Sequence, residues 1–307
     1  MTPLHIQTPL LRSRALALRA GHDVYLKLEA LQPTGSFKIR GIGLACQEMV
    51  RRGAKRLISS SGGNAGIAVA YAGRLLGVPV AVVVPETTTA RARALIRQED
   101  AEIIVHGASW QEANALAQSM VTRTDAFLHP FDDPLLWQGH ASMIDEVAAA
   151  GVKPDAVVLS VGGGGLLCGV VEGLHRNAWS DVPVIAVETV GADSLFQSIK
   201  AGRRIELPAI TSIATSLGAR QVCAQALDWS TRHPVRSVVV PDQAAVSACL
   251  QFMADHRIVV EPACGAALAA VYDGCAQIAG CPTVLVIVCG GVTASVEQLQ
   301  SWAAQLT

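Results

Sequence analysis

Charge is scarce in this sequence. Asp, Glu, Lys and Arg make up 16% of the 307 residues and nearly cancel, leaving a formal net charge of -1. No block of basic residues interrupts it, so the concentrated positive patch of a nucleic-acid binder is missing. Aromatic residues are also sparse, at 4%, which removes the stacking platform that single-stranded nucleic acids need. No apolar run approaches the roughly 18 residues that span a bilayer. The longest runs, 78–84 and 284–288, have the length of buried strands. Residues 1–12 lack a basic start followed by an apolar stretch, so no export signal is expected. The eight cysteines include no C-x-x-C pair. Without an export signal they are expected to be reduced, mostly buried and cytoplasmic. The histidines show no H-E-x-x-H or related spacing, so that type of metal site is not expected.

What is abundant is apolar residue: 51% of the chain, the composition of a folded protein with a large core. From Asp23 onward, short β-branched runs alternate with longer helical patterns. The runs predict strands at 24–28, 56–59, 80–84, 102–105, 156–160, 184–188, 237–240 and 283–288, and helices over 64–76 and 111–122 between them. Continuous apolar strands alternating with helices indicate an open α/β architecture of mostly parallel sheets covered on both faces. The length suits two lobes sharing a cleft. His129-Pro130-Phe131-Asp132-Asp133-Pro134 breaks the pattern. The expected division is therefore a small domain at 35–133 and a large domain from 1–34 and 134–307, with the site beyond the carboxyl ends of the strands.

Three glycine-containing turns precede helical stretches, where unpaired N–H groups and the helix dipole favour anions. The first is Thr34-Gly35-Ser36-Phe37-Lys38. A lysine at a helix start sits against the dipole, which suits an amine tied up in chemistry, although an exposed surface lysine reads the same way. The second is Ser60-Ser61-Gly62-Gly63-Asn64-Ala65-Gly66, whose hydroxyls, amide and backbone N–H groups suit a small carboxylate; taken singly it is also an N-cap with a flexible turn. The third is Gly162-Gly163-Gly164-Gly165, between a strand and Leu166-Leu167-Cys168-Gly169. Consecutive glycines cost backbone entropy, and close approach to a phosphate explains them as well as a tight turn does. This run completes neither G-x-G-x-x-G nor a P-loop, because Leu167 and Cys168 stand where a third glycine would be and Val170 follows Gly169.

One lysine, one carboxylate pocket and one phosphate cradle together describe a pyridoxal-phosphate enzyme acting on an amino acid. The sequence also resembles a known family. Ser36-Phe37-Lys38-Ile39-Arg40-Gly41, Ser61-Gly62-Gly63-Asn64-Ala65-Gly66, Phe131-Asp132-Asp133-Pro134, the run from Ser160 through the four glycines to Gly169, Glu261-Pro262-Ala263-Cys264-Gly265 and Val288-Cys289-Gly290-Gly291 are similar to motifs of the L-serine dehydratase/L-threonine deaminase family. The similarity is greatest to its short, liver-type members. It runs from Thr8-Pro9-Leu10 nearly to the C-terminus. The resemblance implies a fold-type II, tryptophan synthase β-like architecture of two open twisted, mostly parallel sheets flanked by helices. It implies a lyase that converts L-serine to pyruvate and ammonia, and L-threonine to 2-oxobutyrate.

By the same resemblance, Lys38 carries the cofactor and is the catalytic base. Phe37 packs on one face of the pyridine ring and Ser216 lies near the other. Gly162, Gly163, Gly164, Gly165 and Leu166 hold the phosphate, and Asn64 bonds the phenolic oxygen. Ser61, Gly62, Asn64 and Ala65 take the substrate, with Ser61 and Ala65 on its carboxylate. Cys289 faces the pyridine nitrogen, where a thiol or thiolate guards ring protonation less well than an aspartate and so favours loss of a β leaving group over transamination. Glu188, Ala192, Ser194, Leu217 and Ala219 are the implied ligands of a monovalent cation, potassium. A homodimer is implied. With no extension past Thr307, feedback by isoleucine is not expected, and a catabolic role fits.

Two positions depart from family patterns. Gly62 stands where serine racemases carry an acid/base serine, which argues against racemisation. Ser216 replaces an alanine of the liver enzymes. The competing readings are a β-replacement enzyme of cysteine-synthase type, a threonine synthase, for which the chain is short, and a non-enzymatic protein that binds the cofactor.

Overall fold

The computed structural model of the protein describes residues 2–306. Among them are ten strands: β1 (Leu10–Arg12), β2 (Asp23–Lys27), β3 (Arg56–Ser59), β4 (Val80–Val84), β5 (Glu102–Val105), β6 (Asp125–Leu128), β7 (Ala156–Ser160), β8 (Val184–Thr189), β9 (Val235–Val240) and β10 (Thr283–Ile287). They form two sheets, a six-stranded one in the order β1-β2-β10-β7-β8-β9 and a four-stranded one in the order β5-β4-β3-β6. Only the pairing of β1 with β2 is antiparallel; all others are parallel. Helices flank both sheets, so the expected α/β architecture is the observed one.

Residue type explains the sheets. β4 (VAVVV) and β7 (AVVLS) are buried along their whole length, as parallel strands covered on both faces must be. At 102–105 the strand is half-exposed, because β5 is an edge. Seven of the eight expected strands match within a residue at each end, and the eighth, β9, starts two residues earlier, at Val235. Two strands were not expected. β1 is a three-residue edge strand, and β6 (DAFL) carries no β-branched residue. The helix expected over 111–122 runs over Trp110–Ser119 instead. Ser109 sets its start as the N-cap: the hydroxyl oxygen accepts the Glu112 N–H at 3.3 Å and the hydroxyl donates to the Glu112 carboxylate at 2.9 Å.

The four-stranded sheet uses residues 56–128, and the six-stranded sheet is built from the segments on either side. The helix Lys38–Arg51 joins them, packing on both the helix Asn64–Leu76 and the helix Pro134–Ala149. A buried charge cluster anchors it. Arg40 has no exposed side-chain surface and holds Glu29 at 2.7 Å and Glu146 at 2.7 Å; it also donates to Ser142 at 2.9 Å. Lys27 pairs with the same Glu146 and donates to the Thr8 carbonyl at 2.7 Å. Burial opposes ionisation of Glu146, yet the hydrogen bonds from Arg40 and Lys27 keep its carboxyl below the usual range. No described helix is long and apolar enough to cross a membrane. All eight cysteines are unpaired, and six are buried.

Candidate active site

Lys38 opens its helix at the end of a segment clamped to the strand end of β10. The Phe37 N–H donates to the Cys289 carbonyl at 3.1 Å, and the Gly291 N–H donates to the Gly35 carbonyl at 2.8 Å. Gly35 lies at φ +69°, and a Cβ there would sit 2.1 Å from the Val292 side chain, so this turn needs glycine on both counts. The ammonium of Lys38 donates to the Pro130 carbonyl at 2.6 Å. Burial lowers its pKa to about 8, with Cys289 and Glu261 opposing the shift.

The second loop follows β3. The Ser61 hydroxyl accepts the Gly63 N–H at 3.3 Å. The helix Asn64–Leu76 then begins without a side-chain cap, which leaves amides at its start for a ligand. The Asn64 side-chain amide donates to Glu261 at 2.8 Å, and its oxygen accepts the Val292 N–H at 3.3 Å.

The third loop follows β7. Gly164 takes φ +93° and caps the helix Gly165–Arg176. The glycines are crowded from the side where a Cβ would stand: at Gly162 by Leu217 Cα at 2.9 Å, and at Gly163 by the Phe131 ring at 2.2 Å. Tight packing by protein atoms therefore enforces glycine here, and it leaves the opposite, amide side open. No protein acceptor among the described residues takes the N–H groups of Gly162, Gly163, Gly164, Gly165 or Leu166.

These loops meet at two adjoining cavities. One, of about 50 Å³, is lined by Phe37, Lys38, Asn64, Gly162, Gly163, Gly164, Gly165, Leu166, Ser216, Leu217, Glu261 and Cys289. The other, of about 420 Å³, is lined by Lys38, Ser61, Gly62, Asn64, Ala65, Thr88 and Ser216, among others. Lys38, Asn64 and Ser216 face both. The first cavity thus holds every residue expected around a cofactor, and the second every residue expected around a substrate.

The residues expected around a cation spread further. Leu217 lines the smaller cavity, whereas Ala219 lines a third one. Glu188 is fully buried at the end of β8 and accepts the Leu195 and Phe196 N–H groups at 2.8 and 2.7 Å. Burial pushes its carboxyl up to about 8. The Ser194 hydroxyl is buried with no partner among the described residues, and the Ala192 N–H donates to the Thr189 carbonyl. No group of three or more His, Cys, Asp and Glu stands together among the described residues.

One site residue had not been singled out. Glu261 is buried, lines the smaller cavity and accepts hydrogen bonds from Asn64, from Thr293 at 2.6 Å, and from Ser216. Burial raises its pKa, and those donors oppose the rise. Gly291, at φ +115°, is glycine because a Cβ would sit 2.0 Å from the Glu261 carboxyl carbon. Cys289 is hydrogen-bonded to Cys264 and fully buried, which pushes its thiol well above the usual range. Of the two forms considered for it, thiol and thiolate, the protonated thiol is the one present at neutral pH.

Over residues 1–290 the sequence matches the family described as pyridoxal-phosphate dependent enzyme. The chain belongs to this family. As a pyridoxal-phosphate-dependent enzyme it has close relatives. It is 48% identical to human L-serine dehydratase/L-threonine deaminase, across 99% of this chain and 96% of that protein. It is 50% identical to the mouse protein called serine dehydratase-like, across 99% and 95%. Among solved structures, the fungal L-serine ammonia-lyase from Rhizomucor miehei superposes with a TM-score of 0.95 at 35% identity, covering 100% of both chains. The resemblance to the L-serine dehydratase/L-threonine deaminase family therefore extends over the whole chain.

The residues fit the family's cofactor on their own geometry. Unclaimed amides at a dipole-favoured helix start suit its phosphate, and a buried amine with a lowered pKa suits its aldehyde. The neutral Cys289 thiol lines the same small cavity.

Proposed function

We propose that this pyridoxal-phosphate enzyme eliminates water and ammonia from L-serine, giving pyruvate, and acts likewise on L-threonine, giving 2-oxobutyrate. The observation that carries the reading is that Lys38, alone among the titratable side chains, lines both the glycine-walled cavity and the Ser61–Gly62–Asn64–Ala65 cavity. The names of the relatives supply the substrate.

The amides of Gly162, Gly163, Gly164, Gly165 and Leu166 would hold the phosphate. Phe37 and Ser216 would bracket the ring, Asn64 would meet its phenolic oxygen and Cys289 its nitrogen. Bound there, pyridoxal phosphate supplies an electron sink for the substrate's α-carbon. Ser61, Gly62, Asn64 and Ala65 would receive the substrate at a helix start, with Ser61 and Ala65 on its carboxylate. Lys38 Nζ would hold the cofactor and, as a free amine, would take the substrate's α-proton. A pKa of about 8 makes it a usable base near neutral pH. The proton so gained by Lys38 would be available to the β-hydroxyl, which needs one to depart as water.

The test is 2-oxo acid formation from L-serine and L-threonine by cofactor-loaded protein, with potassium present. Pyruvate from serine is expected. Sulfide-dependent cysteine formation without oxo acid would instead place the protein among β-replacement enzymes. Lys38→Ala should abolish turnover; substantial residual activity without added amine would remove Lys38 from the role.

The same reading includes potassium near Glu188 and Ser194, with Ala192, Leu217 and Ala219 contributing. Its support is the buried carboxylate and the unpartnered hydroxyl. Activity should fall when potassium is replaced by tetramethylammonium. It also includes a small lobe at 35–133 that carries the four-stranded sheet, a cytoplasmic location and a homodimer.

A further inference from the structure

Gly62 is a glycine that its own backbone does not require. It is not among the residues with positive φ, so any L side chain fits its conformation. What excludes a side chain is a neighbour. A Cβ at position 62 would lie 2.6 Å from Thr88 Oγ1, 2.7 Å from Thr88 Cγ2 and 3.3 Å from Thr88 Cβ. Rotation about χ1 brings no relief, because both branches of the threonine crowd the point and a β-branched side chain has few rotamers to offer.

Thr88 is itself held firmly. Its N–H donates to the Pro85 carbonyl at 3.0 Å in the turn after β4. The next residue, Thr89, caps the helix Ala90–Arg97 by accepting the Ala92 N–H at 3.2 Å. The Thr88 hydroxyl lines the 420 Å³ cavity and has no hydrogen-bond partner among the described residues. Beside it lies the loop that carries Gly62, Gly63 and the amides at the start of the helix Asn64–Leu76, where an anion is favoured.

We propose that Thr88 stands in for the missing side chain of residue 62 and donates its hydroxyl to the carboxylate of the bound amino acid. It is a substrate-binding residue contributed by a different strand end from the loop it completes. The proposal rests on the reading of this cavity as the amino-acid site. A charge-assisted hydrogen bond of this kind strengthens binding of any α-amino acid, and the methyl group beside it sets the room left at the loop.

Four variants test it. Thr88→Val keeps the shape and removes the hydroxyl. It should raise KM for L-serine about tenfold or more, the effect of losing one hydrogen bond to a charged group, with kcat within about threefold. Thr88→Ser keeps the hydroxyl and should restore KM. L-Alanine, which has the carboxylate but no β-hydroxyl, should weaken as a competitor of Thr88→Val by a similar factor. Gly62→Ser should lower the melting temperature of the cofactor-free protein by on the order of 2–5 °C through overpacking. Adding Thr88→Ala to Gly62→Ser should restore it. Unchanged KM in Thr88→Val, a KM effect on serine without one on alanine, or melting effects that merely add would each overturn the assignment. Failure of the unsubstituted protein to form oxo acid would refute the elimination reading instead. The melting cycle needs neither substrate nor cofactor, so it is decided separately.

Discussion

At Lys38 two opposing effects set the chemistry. Burial favours the neutral amine, and the Cys289 sulfur and the Glu261 carboxyl beside it favour the ammonium; burial wins, and the pKa falls to about 8. At pH 7 roughly one amine in ten is then neutral, against fewer than one in a thousand for an ordinary lysine. Only the neutral form attacks an aldehyde. The rate at which the cofactor-free protein captures pyridoxal phosphate should therefore climb with pH, bend near 8 and level off above it. Stopped-flow absorbance gives the profile, and a rate still rising steeply past pH 9.5 would contradict the burial argument. Glu261→Gln removes a neighbouring carboxyl and keeps one acceptor oxygen for the Asn64 amide, while the Thr293 hydroxyl, which donates to the other oxygen, can turn to accept from the new amide N–H. Where that carboxyl is ionised it supports the ammonium, so the bend should move below 8. An upward move would mean that Glu261 acts on Lys38 in some other way.

Elements differ in how far their sequence announces them. β3, β4, β5 and β7 occupy the residues that their apolar runs predict; β4 and β7 are buried along their whole length, and a buried parallel strand must be apolar. β1 and β6 are too short and too ordinary in composition to stand out; pairing with β2 and β3 creates them. The site divides the same way. Lys38 and the glycine loops announce themselves because glycine runs beside helix starts have few other uses. Glu261 and Thr88 do not. The partner of Glu261, Asn64, lies 197 residues away, and no local pattern encodes such a meeting. Arg40 belongs to this silent class, two residues beyond Lys38. Among the described residues it alone ties the catalytic helix to both Glu29 and Glu146. Arg40→Met would leave Glu29 buried without its ion-pair partner and Glu146 with Lys27 alone, which costs about 3–5 kcal/mol. A fall in melting temperature on the order of 5–10 °C should follow. Arg40→Lys should recover little of it, because an ammonium cannot make the two-pronged contacts. Melting within a degree or two of the parent protein would show that the cluster contributes nothing net.

For the whole molecule, the cavities matter because they are walled by both sheets. Gly162, Gly163, Gly164 and Gly165 follow β7 of the larger sheet, whereas Asn64 follows β3 of the smaller one. A cofactor seated between them touches both, and a ligand that binds only the folded chain stabilises it by mass action. At a free cofactor concentration of about 100 times its dissociation constant the gain is about 2.7 kcal/mol, a rise of about 5 °C for a chain of this size. The rise should be shared by both sheets. Amide hydrogen exchange should slow in the four-stranded sheet as well as around the glycine loop, because opening either one releases the ligand. Gly163→Ala, whose Cβ would meet the Phe131 ring at 2.2 Å, should shrink both effects together by disturbing the phosphate cradle alone. If cofactor slowed exchange only near the glycine loop, the small sheet would open independently. Asn64 and Lys38 would then be brought together by the substrate and not by the cofactor.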